Sequence, residues 1–172
     1  VLATPRKISV SELGEVEPSA PLEGVKVVDF MWSLAGPFTT RALADLGATV
    51  VKIESTHKPD AARGFLPVWD NEPGLERSAL FDTANAGKLS LALNMNRPEA
   101  LEVMHDLIGW ADVLCDSFSP GKMGSWGLSW EKVQGLNPRL IMLSTCLTGQ
   151  SGPTANFAGY GNLGAALSGF YG

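Results

Sequence analysis

Between Val25 and Glu54 the sequence carries the pattern that most constrains its fold: the apolar run "VKVVDF", a helical stretch through Pro37, and the apolar run "TVVKIE". The first run, bounded by Gly24 and the Gly36-Pro37 pair, has the character of a buried parallel strand. Pro37 suits the first turn of a helix, and Phe38, Ala42, Leu43 and Leu46 recur at helical spacing up to Gly47 as a C-terminal stop. Strand, helix and strand in so short a span predict a right-handed βαβ unit. The fold class that follows is α/β and Rossmann-like, a mostly parallel sheet with helices on both faces.

The rest of the chain extends this pattern. Ser55 to Arg77 is rich in Pro, Gly, Asp and Asn, has no period, and is too long for an ordinary connection, so it reads as a functional or mobile loop. "KLSLALNM" (Lys88 to Met95) alternates like a strand. Asn96, Pro98 and Glu99 have capping-box spacing and open a helix with Leu101, Met104, Leu107 and Ile108 on one face. "DVLCD" (Asp112 to Asp116) predicts a further short strand and "RLIMLST" (Arg139 to Thr145) another buried one, separated by the turn-rich "SFSPGKMGSWG" and a helix opening at Ser129.

At 172 residues and 45% hydrophobic the chain can bury a core, and its net charge of -5 lacks the footprint that a nucleic-acid partner needs. Cys115 and Cys146 are far apart and show neither metal-ligand spacing nor a disulfide framework, which predicts a reducing, cytoplasmic setting and no metal. No apolar run approaches the roughly 20 residues of a membrane span. Residues 1–21 have the composition of a linker or flexible segment ahead of a domain at 22–172. The missing initiator Met and the abrupt small-residue end predict a piece of a longer chain.

Ligands of open α/β sheets gather at the carboxyl ends of strands, so the turn after Phe30 is the first candidate site. An anionic ligand fits a helix N-terminus there. A nicotinamide site with Glu54 on the ribose is the competing reading, but "SLAGPF" lacks the G-x-G-x-x-G spacing and Pro37 removes an amide. A helix start without any ligand is the third. The turn from Asp116 to Gly127 is the second candidate, with Phe118 and Trp126 as stacking surfaces and Lys122 as a phosphate partner. His57 and His105 read as surface residues and Cys146 as a small core hydrophobe.

Four blocks, "LEGVKVVDFMWSLAGPFTTRALADLGATVVKIES", "ANAGKLSLALNMNRPEA", "ADVLCDSFSPGKMGSWGLSWEKVQGLNPRLIMLS" and "GYGNLGAALSGF", resemble in order the N-terminal part of the family III CoA-transferases. The resemblance runs from about Leu22 to the last residue. It implies half of a Rossmann-like large domain in a protein whose two subunits interlock as a homodimer. It also implies coenzyme A, carried as an acyl-CoA substrate alongside a carboxylic acid. Ser33, Leu34 and Ala35 then match a CoA-contacting turn, Leu93 and Met95 an adenine-lining edge, and Ser117 and Phe118 the next turn. Lys122 and Trp126 fall where the family contacts phosphates. Ser55 and Ser125 stand where some members have basic residues, with Lys58 and Lys122 as substitutes.

In the family mechanism an Asp carboxylate attacks acyl-CoA to give an anhydride and then an enzyme thioester. That Asp lies beyond Gly172 by resemblance, so no catalytic residue is assigned within this chain and the piece alone is expected to be inactive. A racemase branch of the superfamily carries His where Tyr160 stands in the "GYGN" block, and a phenol is a poor base for α-proton removal at neutral pH. Tyr160 is nonetheless placed at the CoA site by its block. A non-catalytic CoA-binding half of a tandem fusion is the remaining alternative.

Overall fold

The computed structural model describes residues 20–171. The expected linker over 1–21 lies outside the described residues apart from Ala20 and Pro21. Five parallel strands, β1 (Lys26–Phe30), β2 (Thr49–Glu54), β3 (Leu89–Ala92), β4 (Val113–Asp116) and β5 (Ile141–Ser144), form one sheet in the order β3-β2-β1-β4-β5. The helices are α1 (Ala35–Asp45), α2 (Ala79–Asn85), α3 (Pro98–Trp110), α4 (Lys122–Ser125), α5 (Trp130–Leu136) and α6 (Gly161–Leu167).

The alternation of β1 sends its side chains into two cores. Val28 and Phe30 pack with Ile53, Leu114, Met104 and Ile108 of α3, and Val133 of α5. Val27 and Met31 pack on the opposite face with Val50, Cys115, and Leu43 and Ala44 of α1. The central strands β1, β2 and β4 are therefore covered on both sides, as their near-continuous apolar runs require, whereas the edge strands β3 and β5 are largely exposed, with Leu89, Ile141 and Leu143 open, so the buried strand expected at "RLIMLST" is an exposed edge among the described residues. Because β1 connects to β2 on one face while β3, β4 and β5 connect across the other, the winding reverses between β1 and β4. Ligand crevices in open α/β sheets open at such a reversal.

Two further local expectations need correction, and one helix has no expectation at all. The first helix starts at Ala35 rather than Pro37, and the Phe38 amide already donates to the Leu34 carbonyl at 3.0 Å. The N-cap of α3 is Arg97, with no side-chain cap bond, so the capping box expected at Asn96 does not form. The helix α2 is absent from the sequence reading altogether; Ser78 caps it by accepting from the Phe81 amide at 3.2 Å.

Candidate ligand cleft

The carboxyl ends of β1, β2 and β3, together with the turn after β4, enclose a cleft of about 510 Å³. Its bed is apolar, built from Phe30, Trp32, Ile53, Leu93, Met95, Phe118 and Trp126, and its rim carries Lys58, Lys122, His57, Asn94 and Asn96. That size and that mixture, an apolar bed with a few polar groups, suit a small-molecule ligand.

On the β1 side the Met31–Ala35 turn is fixed by side chains rather than left open. The Met31 amide donates to Asp29 Oδ1 at 2.7 Å, the Trp32 amide to Ser117 Oγ at 2.8 Å, and the Ser33 amide to Asp60 Oδ1 at 2.9 Å. Amides expected to face a ligand are thus turned onto the protein's own oxygens. Ser33 adopts φ 67°, left-handed backbone that a residue with a Cβ takes up only under constraint. Gly36 is small for a similar internal reason: a Cβ there would lie 2.7 Å from Met31 Sδ.

Two buried ion pairs support that turn. Asp29, fully buried, accepts from Thr40 Oγ1 at 2.7 Å and from Lys88 Nζ at 2.9 Å. Lys88 also donates to the Pro37 carbonyl, Thr40 Oγ1 and Asn85 Oδ1, which satisfies a cation whose side chain is 1% exposed. Burial still holds the Lys88 ammonium below its usual lysine pKa, against the opposing pull of Asp29. The second pair joins Lys52 to Asp60 at 3.0 Å, and Lys52 Nζ also donates to the Met31 carbonyl at 2.7 Å. Beyond it, Arg63 grips both oxygens of Glu54 at 2.6 and 3.1 Å and lies 3.8 Å from the centre of the Phe81 ring.

The β4 side is aromatic. Phe118 meets Trp32 at 5.2 Å and Trp126 at 5.3 Å between ring centres, both edge to face, and Phe30 closes the group at 6.2 and 5.9 Å from Phe118 and Trp126. Lys122 Nζ sits 4.2 Å from the centre of a Trp126 ring. The Nε1–H donors of Trp32 and Trp126 are buried without an acceptor among the described residues. Beneath the turn, Asp116 accepts from Ser144 Oγ and the Phe118 amide, and burial raises its carboxyl above the usual range. Burial also pushes the neighbouring Cys115 thiol up to about 12, with Asp29 and Asp116 adding to it.

Of the residues singled out from sequence, Leu93, Met95, Phe118, Lys122 and Trp126 line the cleft. Ser33, Leu34 and Ala35 follow β1 at the same end of the sheet but are not among its lining residues, and Ser117 spends its hydroxyl on Trp32. Tyr160 stands at the start of α6, 80% exposed, and is not brought to the cleft wall. His57 and Lys58 line the rim, while Cys146 is half-buried rather than a core residue. Sequence reading missed Lys52, Asp60 and Lys88 as supports. A lysine inside the apolar run "TVVKIE" was the available signal, since a buried cation demands an anion nearby.

A family model described as CoA-transferase family III matches residues 22–172. The chain is 36% identical over 149 residues to a mouse succinyl-CoA:glutarate CoA-transferase, covering 87% of this chain and 33% of that protein. It is 35% identical over 152 residues to a succinyl-CoA–D-citramalate CoA-transferase of Chloroflexus aurantiacus, covering 88% and 37%. The fold matches a CAIB/BAIF family protein from Brucella suis with a TM-score of 0.78 at 36% identity, over 87% of this chain and 39% of that one. The chain thus spans between 33% and 39% of the length of these relatives.

Proposed function

The chain belongs to CoA-transferase family III, and on that premise we propose that its cleft holds the CoA part of an acyl-CoA in an enzyme that passes CoA to a carboxylic acid. The carrying observation is the cleft itself, an apolar bed with two lysines at its rim at the carboxyl ends of parallel strands. Leu93, Met95, Phe118 and Trp126 offer faces for adenine, and Lys58 and Lys122 offer charge for its phosphates. The pantetheine arm would run past Trp32 toward Ser33, Leu34 and Ala35, bringing the thioester to the start of α1.

The attacking carboxylate is assigned to the remainder of the protein. Asp29 and Asp116 are buried and already accept two or more hydrogen bonds each, which leaves neither placed to attack a thioester. An Asp in the remainder would form the acyl anhydride, take CoA as an enzyme thioester, and release it to the acceptor acid. The two relatives named above pair succinyl-CoA with glutarate or D-citramalate, so the acceptor class assigned here is a dicarboxylate. The protein is assigned as a homodimer.

The test is calorimetric titration of the full-length protein with CoA and with pantetheine. Lys58→Ala and Lys122→Ala should each weaken CoA binding by about tenfold, the worth of one charge-assisted contact, and leave pantetheine unchanged. Equal loss for both ligands, or no loss for CoA, would overturn the assignment of the rim.

A further inference from the structure

We propose that Asp60 is a positioning residue for the CoA thioester, one buried carboxylate that holds the floor of the cleft and the Met31–Ala35 turn in a single fixed relation. The inference rests on the cleft being the CoA site. Pro59 and Ala61, on either side of Asp60, line the cleft, while Asp60 itself is 1% exposed. Its Oδ1 accepts from the Ser33 and Ala62 amides at 2.9 and 3.0 Å, its Oδ2 accepts from Lys52 Nζ at 3.0 Å, and its own amide donates to Glu54 Oε1 at 2.9 Å.

These bonds grip the turn on both flanks of Trp32, a cleft-lining residue. On one flank the Met31 carbonyl is held through Lys52, and on the other the Ser33 amide is held directly. The left-handed Ser33 is the residue most in need of such a hold, because relaxing it to ordinary backbone would swing the chain on either side. A carboxylate suits the task where an amide does not. Three donors converge on it, two on one oxygen and an ammonium on the other, and asparagine would aim its NH₂ at one of them.

The experiment is steady-state kinetics of the full-length enzyme carrying Asp60→Asn. The KM for acyl-CoA should rise about tenfold with a fall in kcat, while the KM for the acceptor acid stays within about twofold, because a misplaced thioester loses register without losing the acid pocket. A role in folding alone would lower kcat through the active fraction and leave both KM values unmoved, and that result overturns the proposal. Asp60→Asn leaves Lys52 a buried ion without its counter-charge, so the double variant Asp60→Asn/Lys52→Met is made beside it. The double variant removes both charges yet still releases Met31, and it should keep the acyl-CoA KM raised about fivefold; a value within about twofold of the parent overturns the proposal. Failure of the CoA reading shows separately, in the titrations of the unsubstituted enzyme and its Lys58→Ala variant.

Discussion

On the β1–β2 side of the cleft the chain is held by ion pairs and hydrogen bonds of fixed direction, whereas toward β4 it is held by four aromatic rings meeting at an angle, Phe118 and Trp126 from the turn after β4 against Phe30 and Trp32 from the end of β1 and its turn. Directional bonds specify one geometry and fail sharply when a partner is lost, because the remaining group is buried and unpaired. Aromatic contacts spread their energy over area, so a smaller ring keeps part of it. A cleft with one wall of each kind has an edge that depends on single partners and an edge that depends on shared area.

The largest break in this contrast should come from Lys88→Met. It strips the cation from Asp29 beneath the turn, and urea unfolding of the full-length protein should show a loss of about 3–5 kcal/mol; a loss under about 1 kcal/mol would mean that the directional side is not the brittle one. Trp126→Ala on the aromatic side should cost about 2 kcal/mol in the same measurement, since the ring is only partly buried, and Trp126→Phe under about 1 kcal/mol. Equal losses for the alanine and phenylalanine variants would show that area is not what holds that wall.

The two sides should also answer pH with opposite sign. Burial raises the Asp116 carboxyl, so the folded state binds that proton more tightly than the unfolded chain, and stability falls as pH rises from the ordinary carboxylate value to the raised one. Burial lowers the Lys88 ammonium, so the folded state releases its proton first, and stability rises with pH between the lowered value and the ordinary lysine value. Unfolding followed across pH should show Asp116→Asn flattening the acid limb and Lys88→Met the alkaline limb. Both substitutions acting on one limb would undo the assignment. The smallest effect belongs to Lys122→Gln: the ammonium over Trp126 is exposed, and its removal should change stability by only about 0.5 kcal/mol.

The same contrast explains what could be read from sequence. Strand β2 occupies its expected bounds, Thr49–Glu54, and β1 and β4 lie inside theirs, because buried parallel strands write themselves as apolar runs; β5 also lies inside its bounds, but its apolar run sits on an exposed sheet edge. The aromatic wall was legible too, as Phe118 and Trp126 stand close together in one turn-rich stretch after a strand. The ionic wall was not. Asp29 and Lys88 are 59 positions apart, and no period or spacing announces such a pair. Asp60 was hidden in a loop without pattern, and α2 in a segment whose one cue is the capping Ser78. β3 runs from Leu89 to Ala92, shorter than the alternation of "KLSLALNM" suggests: Lys88 precedes it, in the ion pair with Asp29, and past its end the Leu93 amide still reaches the Glu54 carbonyl of β2, at 2.7 Å.

The burial of Cys115 has a practical consequence for labelling. With its thiol pushed up to about 12 by burial and its side chain fully covered, Cys115 is held as the neutral thiol out of reach of alkylating reagents. Cys146, half-buried just past the end of β5, is the one of the two that such reagents can reach. Among the described residues the protein therefore offers a single addressable sulfur, outside the lining of the cleft yet on the same end of the sheet. A fluorophore attached there would report ligand entry without replacing either wall.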